Sequence, residues 1–186
     1  GGEGVDEMGG SDLQDVINLH KIISGISFCD ENKIGMYGFS RGGIMTYLAL
    51  ARVSWIKAAV TVGGSANLLR GEKLRPEMKK LYIQMFGGAL QEKKKRSAVF
   101  WSSSFHKKTP ILIMHGSADW RESPLDSIEL AKQLYENQIP YRFVLFEGGD
   151  HELSEHENES TEMILSWFER FIKNQEPIPK LKPRGT

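Results

Sequence analysis

Three short stretches of this 186-residue chain place reactive side chains beside glycines. The first is Gly38-Phe39-Ser40-Arg41-Gly42-Gly43, preceded by the apolar run Lys33 to Tyr37 and followed by the apolar Ile44 to Ala51. The pattern strand, G-x-S-x-G, helix describes a turn so sharp that the serine hydroxyl stands above the sheet edge in a strained backbone conformation. Side chains at 38 and 42 are expected to collide with the neighbouring strand and helix, so both positions are glycine. The following helix aims its first amides at the same spot, which makes the Arg41 N–H a candidate oxyanion donor and Ser40 a candidate nucleophile. The plain alternative is a turn whose serine only caps the helix.

A serine hydroxyl attacks poorly unless a base takes its proton, and that base needs an acid to hold its tautomer. Among the five histidines, His151 lies in Glu147-Gly148-Gly149-Asp150-His151, a glycine-rich loop after the last apolar run. Asp119 lies in His115-Gly116-Ser117-Ala118-Asp119, the loop after the run before it. Asp126, inside a helix, and Asp150, beside the base, are alternatives for the acid. His115 ends a strand and His20 lies on a helix, so both read as structural. The order Ser40, Asp119, His151 is the α/β-hydrolase order. His151-Glu152-Leu153-Ser154-Glu155-His156 approaches a zinc motif, but its second histidine falls at i+5 where H-E-x-x-H requires i+4. No metal or other cofactor is expected.

These loops need a scaffold. The runs at 57–64, 110–116 and 141–148 each suit a strand buried on both faces, and helical patterns lie between them. Ser11 to Gln14 has the spacing of a capping box, ahead of an apolar face formed by Val16, Ile17, Leu19, Ile22, Ile23 and Ile26. Ser123-Pro124 opens another helix, with Leu125, Ile128, Ala131, Leu134 and Tyr135 at helical spacing. Met163, Ile164, Trp167, Phe168, Phe171 and Ile172 form an aromatic-rich stripe that faces the core. Alternating strands and helices imply a mostly parallel sheet covered by helices on both faces. Residues 65–109 are a helical excursion between two strands, with a helix from Pro76 ended by Gly87-Gly88, a basic run Gln91 to Arg96 that reads as a solvated helix face, and Phe100, Trp101 and Phe105 near its end. These aromatics suit either a pocket wall or plain packing. Residues 174–186 read as a tail.

Lysine plus arginine and aspartate plus glutamate each number 24, so the formal charge is zero and neither nucleic acid nor an anionic membrane is an expected partner. A peptide or small acyl substrate is. The single cysteine, Cys29, excludes an internal disulfide and reads as a small packing residue. No apolar run is long enough for a membrane helix. Gly1 in place of methionine reads as the inside of a longer polypeptide, and a cytoplasmic location is the expectation.

The three glycine-flanked blocks, with Gly9 to Val16 as a helix before the nucleophile strand, resemble the prolyl-oligopeptidase family of serine peptidases over nearly the whole chain. That resemblance implies the C-terminal part of an α/β-hydrolase domain lacking its N-terminal strands, a single domain over 1–186. It implies Ser40 as nucleophile, His151 as base and Asp119 as acid, acting through an acyl-enzyme on peptides or acylated amino acids. A carboxylesterase with the same residues, or a non-catalytic scaffold, are the alternatives. Family members often carry valine three residues after the acid. Here stands Glu122, expected to raise the pKa of the acid or the histidine. The missing strands leave an open sheet edge, expected to favour self-association.

Overall fold

The computed structural model describes residues 3–182. Strands β1 (Ile34–Phe39), β2 (Ile56–Val62), β3 (Ile111–Gly116) and β4 (Tyr141–Phe146) form one sheet in that order, every neighbouring pair parallel. Parallel neighbours require crossovers. Helix α1 (Leu13–Ser24) precedes β1, and α2 (Arg41–Arg52) links β1 to β2. Helices α3 (Leu68–Leu74), α4 (Met78–Phe86) and α5 (Leu90–Lys95) make up the excursion to β3, α6 (Pro124–Glu136) leads to β4, and α7 (Glu157–Phe168) follows.

Side chains alternate along the strands and so divide the core in two. Ala59, Ile111 and Ile113 pack with Ile44, Tyr47, Leu130 and Leu134 of α2 and α6. Ala58, Val60, Val62, Leu112 and Met114 pack with Trp167 of α7 and Phe171 just beyond it. The aromatic stripe near the end of the chain therefore faces the sheet as its spacing requires. β3 is buried at every position and β2 at every position but Lys57. β4 departs from the expectation of a strand buried on both faces: it has one neighbour, and only Phe146 is buried. β1 likewise pairs on one side among the described residues, with Tyr37 and Phe39 exposed.

Local chemistry corrects several other expectations. The capping box does not form. Asp12 takes the N-cap position, and its carboxylate accepts the Gly9 amide at 3.0 Å, while Gln14 turns to Asn18. The apolar face of α1 is only partly used, with Leu13 buried and Leu19 and Ile22 left exposed. Cys29 is an exposed free thiol in the loop before β1, not a packing residue. On α6 the buried side is Asp126, Ser127, Leu130, Ala131 and Leu134, which leaves Leu125, Ile128 and Tyr135 outside. The basic run is not wholly solvated: Lys93 and Arg96 are buried, paired with Glu72 and Glu92 respectively. Gly87, at φ +78°, does end α4.

Candidate active site

Ser40 joins β1 to α2 at φ +51°, ψ −117°, a conformation that side chains rarely adopt. Its amide donates to the Val62 carbonyl at 2.8 Å, which ties the turn to the end of β2. A Cβ on Gly38 would stand 2.3 Å from the Thr46 hydroxyl and 2.4 Å from the Gly42 carbonyl oxygen, as the motif requires. At Gly42 a Cβ would meet nothing, against expectation. The close approach is one residue later, where a Cβ on Gly43 would come within 2.6 Å of the Gly64 Cα. The paired glycines at 42 and 43 held that signal in the sequence, but only the packing of α2 on the end of β2 tells them apart. Arg41 is the first residue of α2, so its amide precedes the first intrahelical donor and points out of the helix start.

The loops after β3 and β4 interlock. Ala118 N–H donates to the Gly149 carbonyl at 2.9 Å, and a Cβ on Gly116 would overlap that same carbonyl. This contact brings the two remaining side chains together. His151 Nδ1 lies 2.7 Å from Asp119 Oδ2, and His151 Nε2 lies 2.8 Å from Ser40 Oγ. A carboxylate accepts, so Nδ1 carries the proton and Nε2 is left to accept from the serine hydroxyl. The imidazole is almost wholly buried, its ring 5.0 Å from that of Phe39, and the backbone of His151 lies against Gly63.

Asp119 is the most heavily hydrogen-bonded acid of the site. Its Oδ1 accepts the amides of Arg121 and Glu122 at 2.8 and 2.9 Å, and its Oδ2 is also 3.1 Å from His115 Nε2. Burial pulls its pKa upward, but the hydrogen bonds from His115, His151 and the Glu122 amide outweigh burial and hold it far below the usual carboxylate range. Glu122 therefore does not raise the acid, as its charge alone suggested. Its backbone amide helps to lower it. Burial acts on Glu122 itself, whose carboxyl is pushed up in spite of a hydrogen bond from Ser65.

His115 is more than a strand end. Fully buried, it places Nδ1 2.7 Å from Ser127 Oγ and Nε2 3.1 Å from both Asp119 Oδ2 and the Glu122 carbonyl. Both Nε2 neighbours are acceptors, so Nε2 donates and Nδ1 accepts from Ser127. The four-residue step from His115 to Asp119 was visible in the sequence; Ser127, on the next helix, was not. The other candidate acids go elsewhere. Asp126 pairs with Arg70 at 2.7 Å, and Asp150 binds the amides of Glu152 and Ser154 at 3.0 and 2.9 Å. His20 stacks on Trp55.

A cleft of about 190 Å³ opens at Ser40 and Arg41, walled by Met8, Ile44, Met78, Leu81 and Tyr82, with Ser65, Arg75, Arg121 and Glu122 supplying polar atoms. A larger hollow of about 550 Å³ beside Trp101 and Arg96 does not reach Ser40. Of the excursion's late aromatics, Trp101 lines that hollow, Phe105 packs on Tyr47 and Phe100 is exposed. None of them walls the cleft at Ser40.

Residues 3–175 match the model of the prolyl oligopeptidase family. The chain belongs to this family. It is 24% identical to the peptidase YtmA of Bacillus subtilis over 180 residues, 94% of this chain and 68% of YtmA. It is also 24% identical to the human prolyl endopeptidase FAP over 90% of this chain. The fold superposes on the Pyrococcus horikoshii acylaminoacyl peptidase with a TM-score of 0.82 at 22% identity, covering 95% of this chain. The sheet and its helices are thus part of an α/β-hydrolase fold, in a family of hydrolases. The chain spans about two thirds of YtmA but only 21% of FAP and 30% of the Pyrococcus enzyme.

Proposed function

We propose that this chain carries the reacting residues of a serine peptidase of the prolyl oligopeptidase family, acting on peptide or acyl-aminoacyl bonds. One observation carries the reading: the unbroken series Ser40 Oγ, His151, Asp119, with contacts of 2.8 and 2.7 Å. His151 Nε2 takes the hydroxyl proton as Ser40 Oγ attacks the substrate carbonyl. The oxyanion forms against the Arg41 amide and the start of α2, joined by a second donor from a loop outside the described residues. Asp119 stays ionised throughout and stabilises the imidazolium. His151 then gives its proton to the departing amine, leaving an ester on Ser40. Water, deprotonated by the same imidazole, releases the acid and restores the serine.

Fluorophosphonate labelling with peptide mapping, on this chain and on the full-length protein, tests this reading. The expected result is label on Ser40, lost in Ser40→Ala without loss of the folded state, together with amide turnover. Labelled Ser40 with ester turnover alone makes the protein an esterase. An unlabelled Ser40 in both forms leaves a non-catalytic scaffold.

A further inference from the structure

The basic run Gln91 to Arg96 and the aromatic segment after it, neither of which serves the site at Ser40, meet at one hollow. It measures about 550 Å³ and lies between the loop at Gly9 and Gly10, the last turns of α2, and α5. That volume suits a small molecule. The hollow shares no lining residue with the cleft beside Ser40. Leu48 and Ala51 give it an apolar side, and Trp101 an aromatic one. The indole is fixed in place: its Nε1 donates to the Lys94 carbonyl at 3.0 Å, and its ring meets that of Phe105 edge-on at 5.8 Å.

The charged lining has a positive excess. Arg52, Lys95 and Arg96 stand against one carboxylate, Glu92, which already serves both Lys95 and Arg96. Arg52 takes part in none of the described ion pairs. Arg96 is the built part of the site. It is only 4% exposed, with Phe86 lying 4.2 Å from its guanidinium. Its Nε donates to the Glu7 carbonyl at 2.9 Å, and its Nη1 donates to the Glu92 carbonyl and carboxylate at 3.1 and 2.7 Å. Among the described hydrogen bonds Nη2 has no acceptor, and it is not sealed from solvent. Nη2 sits beside Gly10, another lining residue, where an added Cβ would come within 3.0 Å of it. A guanidinium held on three sides, with one nitrogen unused at the wall of a cationic hollow, fits an anionic oxygen.

We propose that this hollow is a second binding site, separate from the cleft at Ser40, for a small organic anion: a carboxylate or phosphate monoester on a flat aromatic body. The anionic oxygens meet Arg96 Nη2 and Arg52, and the ring lies on Trp101 against Leu48 and Ala51. The site stands whether or not Ser40 is a nucleophile.

The test is calorimetric titration of the full-length protein, at fixed ionic strength, with 2-naphthyl phosphate, 2-naphthoate, the neutral 2-naphthol and inorganic phosphate. At least one naphthyl anion should bind about tenfold or more tightly than 2-naphthol and than inorganic phosphate, and the tighter of the two identifies the headgroup. Arg52→Gln alters an exposed side chain and keeps the fold; it should weaken that anion about tenfold and 2-naphthol less than about twofold. Trp101→Leu should weaken the anion and 2-naphthol alike, by about fivefold or more, and leave inorganic phosphate unchanged. No binding of either naphthyl anion at millimolar concentration, equal binding of 2-naphthol, or an Arg52→Gln protein that binds as wild type overturns the proposal. Fluorophosphonate labelling of Ser40 should be unaffected by the bound anion. Protection of Ser40 would place the anion in the cleft and overturn the second site. Failure of Ser40 to label at all removes the nucleophile and leaves the titration to decide the hollow.

Discussion

Two buried aspartates seven residues apart show how this fold sets charge. Asp119 and Asp126 are both almost free of solvent, at 6% and 1% exposure. Burial raises both, yet they end on opposite sides of the ordinary carboxylate value. Asp119 accepts from two backbone amides and two imidazoles and is held ionised. Asp126 has the Arg70 guanidinium for a partner, and burial raises it to about 7 against that ion pair, helped by Glu122 and Glu129 nearby. Arg70 is also shared with Glu129 at 2.8 Å. Burial sets the cost of a charge, and the number of donors aimed at it decides whether the charge survives. Four donors converge on Asp119, two amides from the loop after β3, His115 at the end of β3 and His151 from the loop after β4, whereas the contact of α3 with α6 aims one divided cation. Under the proposed mechanism, the site that needs a permanent anion is the one with converging donors.

The strongest way to break this comparison is to remove each carboxylate in turn. Asp119→Asn, which inverts the donor facing His151, should lower kcat by about 10³–10⁴-fold in the full-length protein. Asp126→Asn should change kcat by less than about threefold, since Asp126 has no contact with His151 or Ser40 among the described hydrogen bonds. Similar losses from the two substitutions, in steady-state assays on one amide substrate, would erase the functional distinction.

Stability should separate them by pH. The folded value of Asp126, about 7, lies above its unfolded value of about 3.9, so protonation favours the folded state. Its contribution is fully present below about pH 4 and is lost as pH rises through 7. Asp119 works in the other direction: its contribution is present above about pH 4 and lost on acidification below that. Urea unfolding at pH 8 and pH 5 should therefore show Asp126→Asn more stable than wild type at pH 8 by about 2–4 kcal/mol, with the gap narrowing at pH 5. An equal gap at both values would mean that Asp126 is ionised throughout.

The smallest effect sharpens the donor count itself. His115→Phe removes one of the four donors to Asp119 and should lower kcat by about tenfold. A loss as large as that of Asp119→Asn would mean that the four donors do not act independently.

Legibility from the sequence follows the same division. Ser40, Asp119 and His151 were readable because each sits in a glycine-marked loop directly after an apolar run, a local pattern that survives without coordinates. The buried aromatic stripe on α7 was readable for the same reason, as a helical period. What was not readable depends on contacts between distant elements. Gly43, not Gly42, meets Gly64; α1 leaves Leu19 and Ile22 outside; and the buried face of α6 is rotated away from Leu125 and Ile128. The effect of Glu122 was misjudged because its side chain suggested repulsion, while its backbone amide is a donor to Asp119. Spacing reports which side chains a loop presents, not where its amides point.

The sheet order has a consequence for the order of assembly. Each strand lies beside the one made before it, so the ribosome delivers every strand to a neighbour already in place. His151, however, follows Ser40 by 111 residues, which at ordinary synthesis speeds is a delay of roughly 5–20 s. During that interval the turn at Ser40 exists without the imidazole that its hydroxyl contacts in the folded chain. The Ser40–His151 contact thus forms only after β4 has docked and the loop that follows it has closed over the turn after β1.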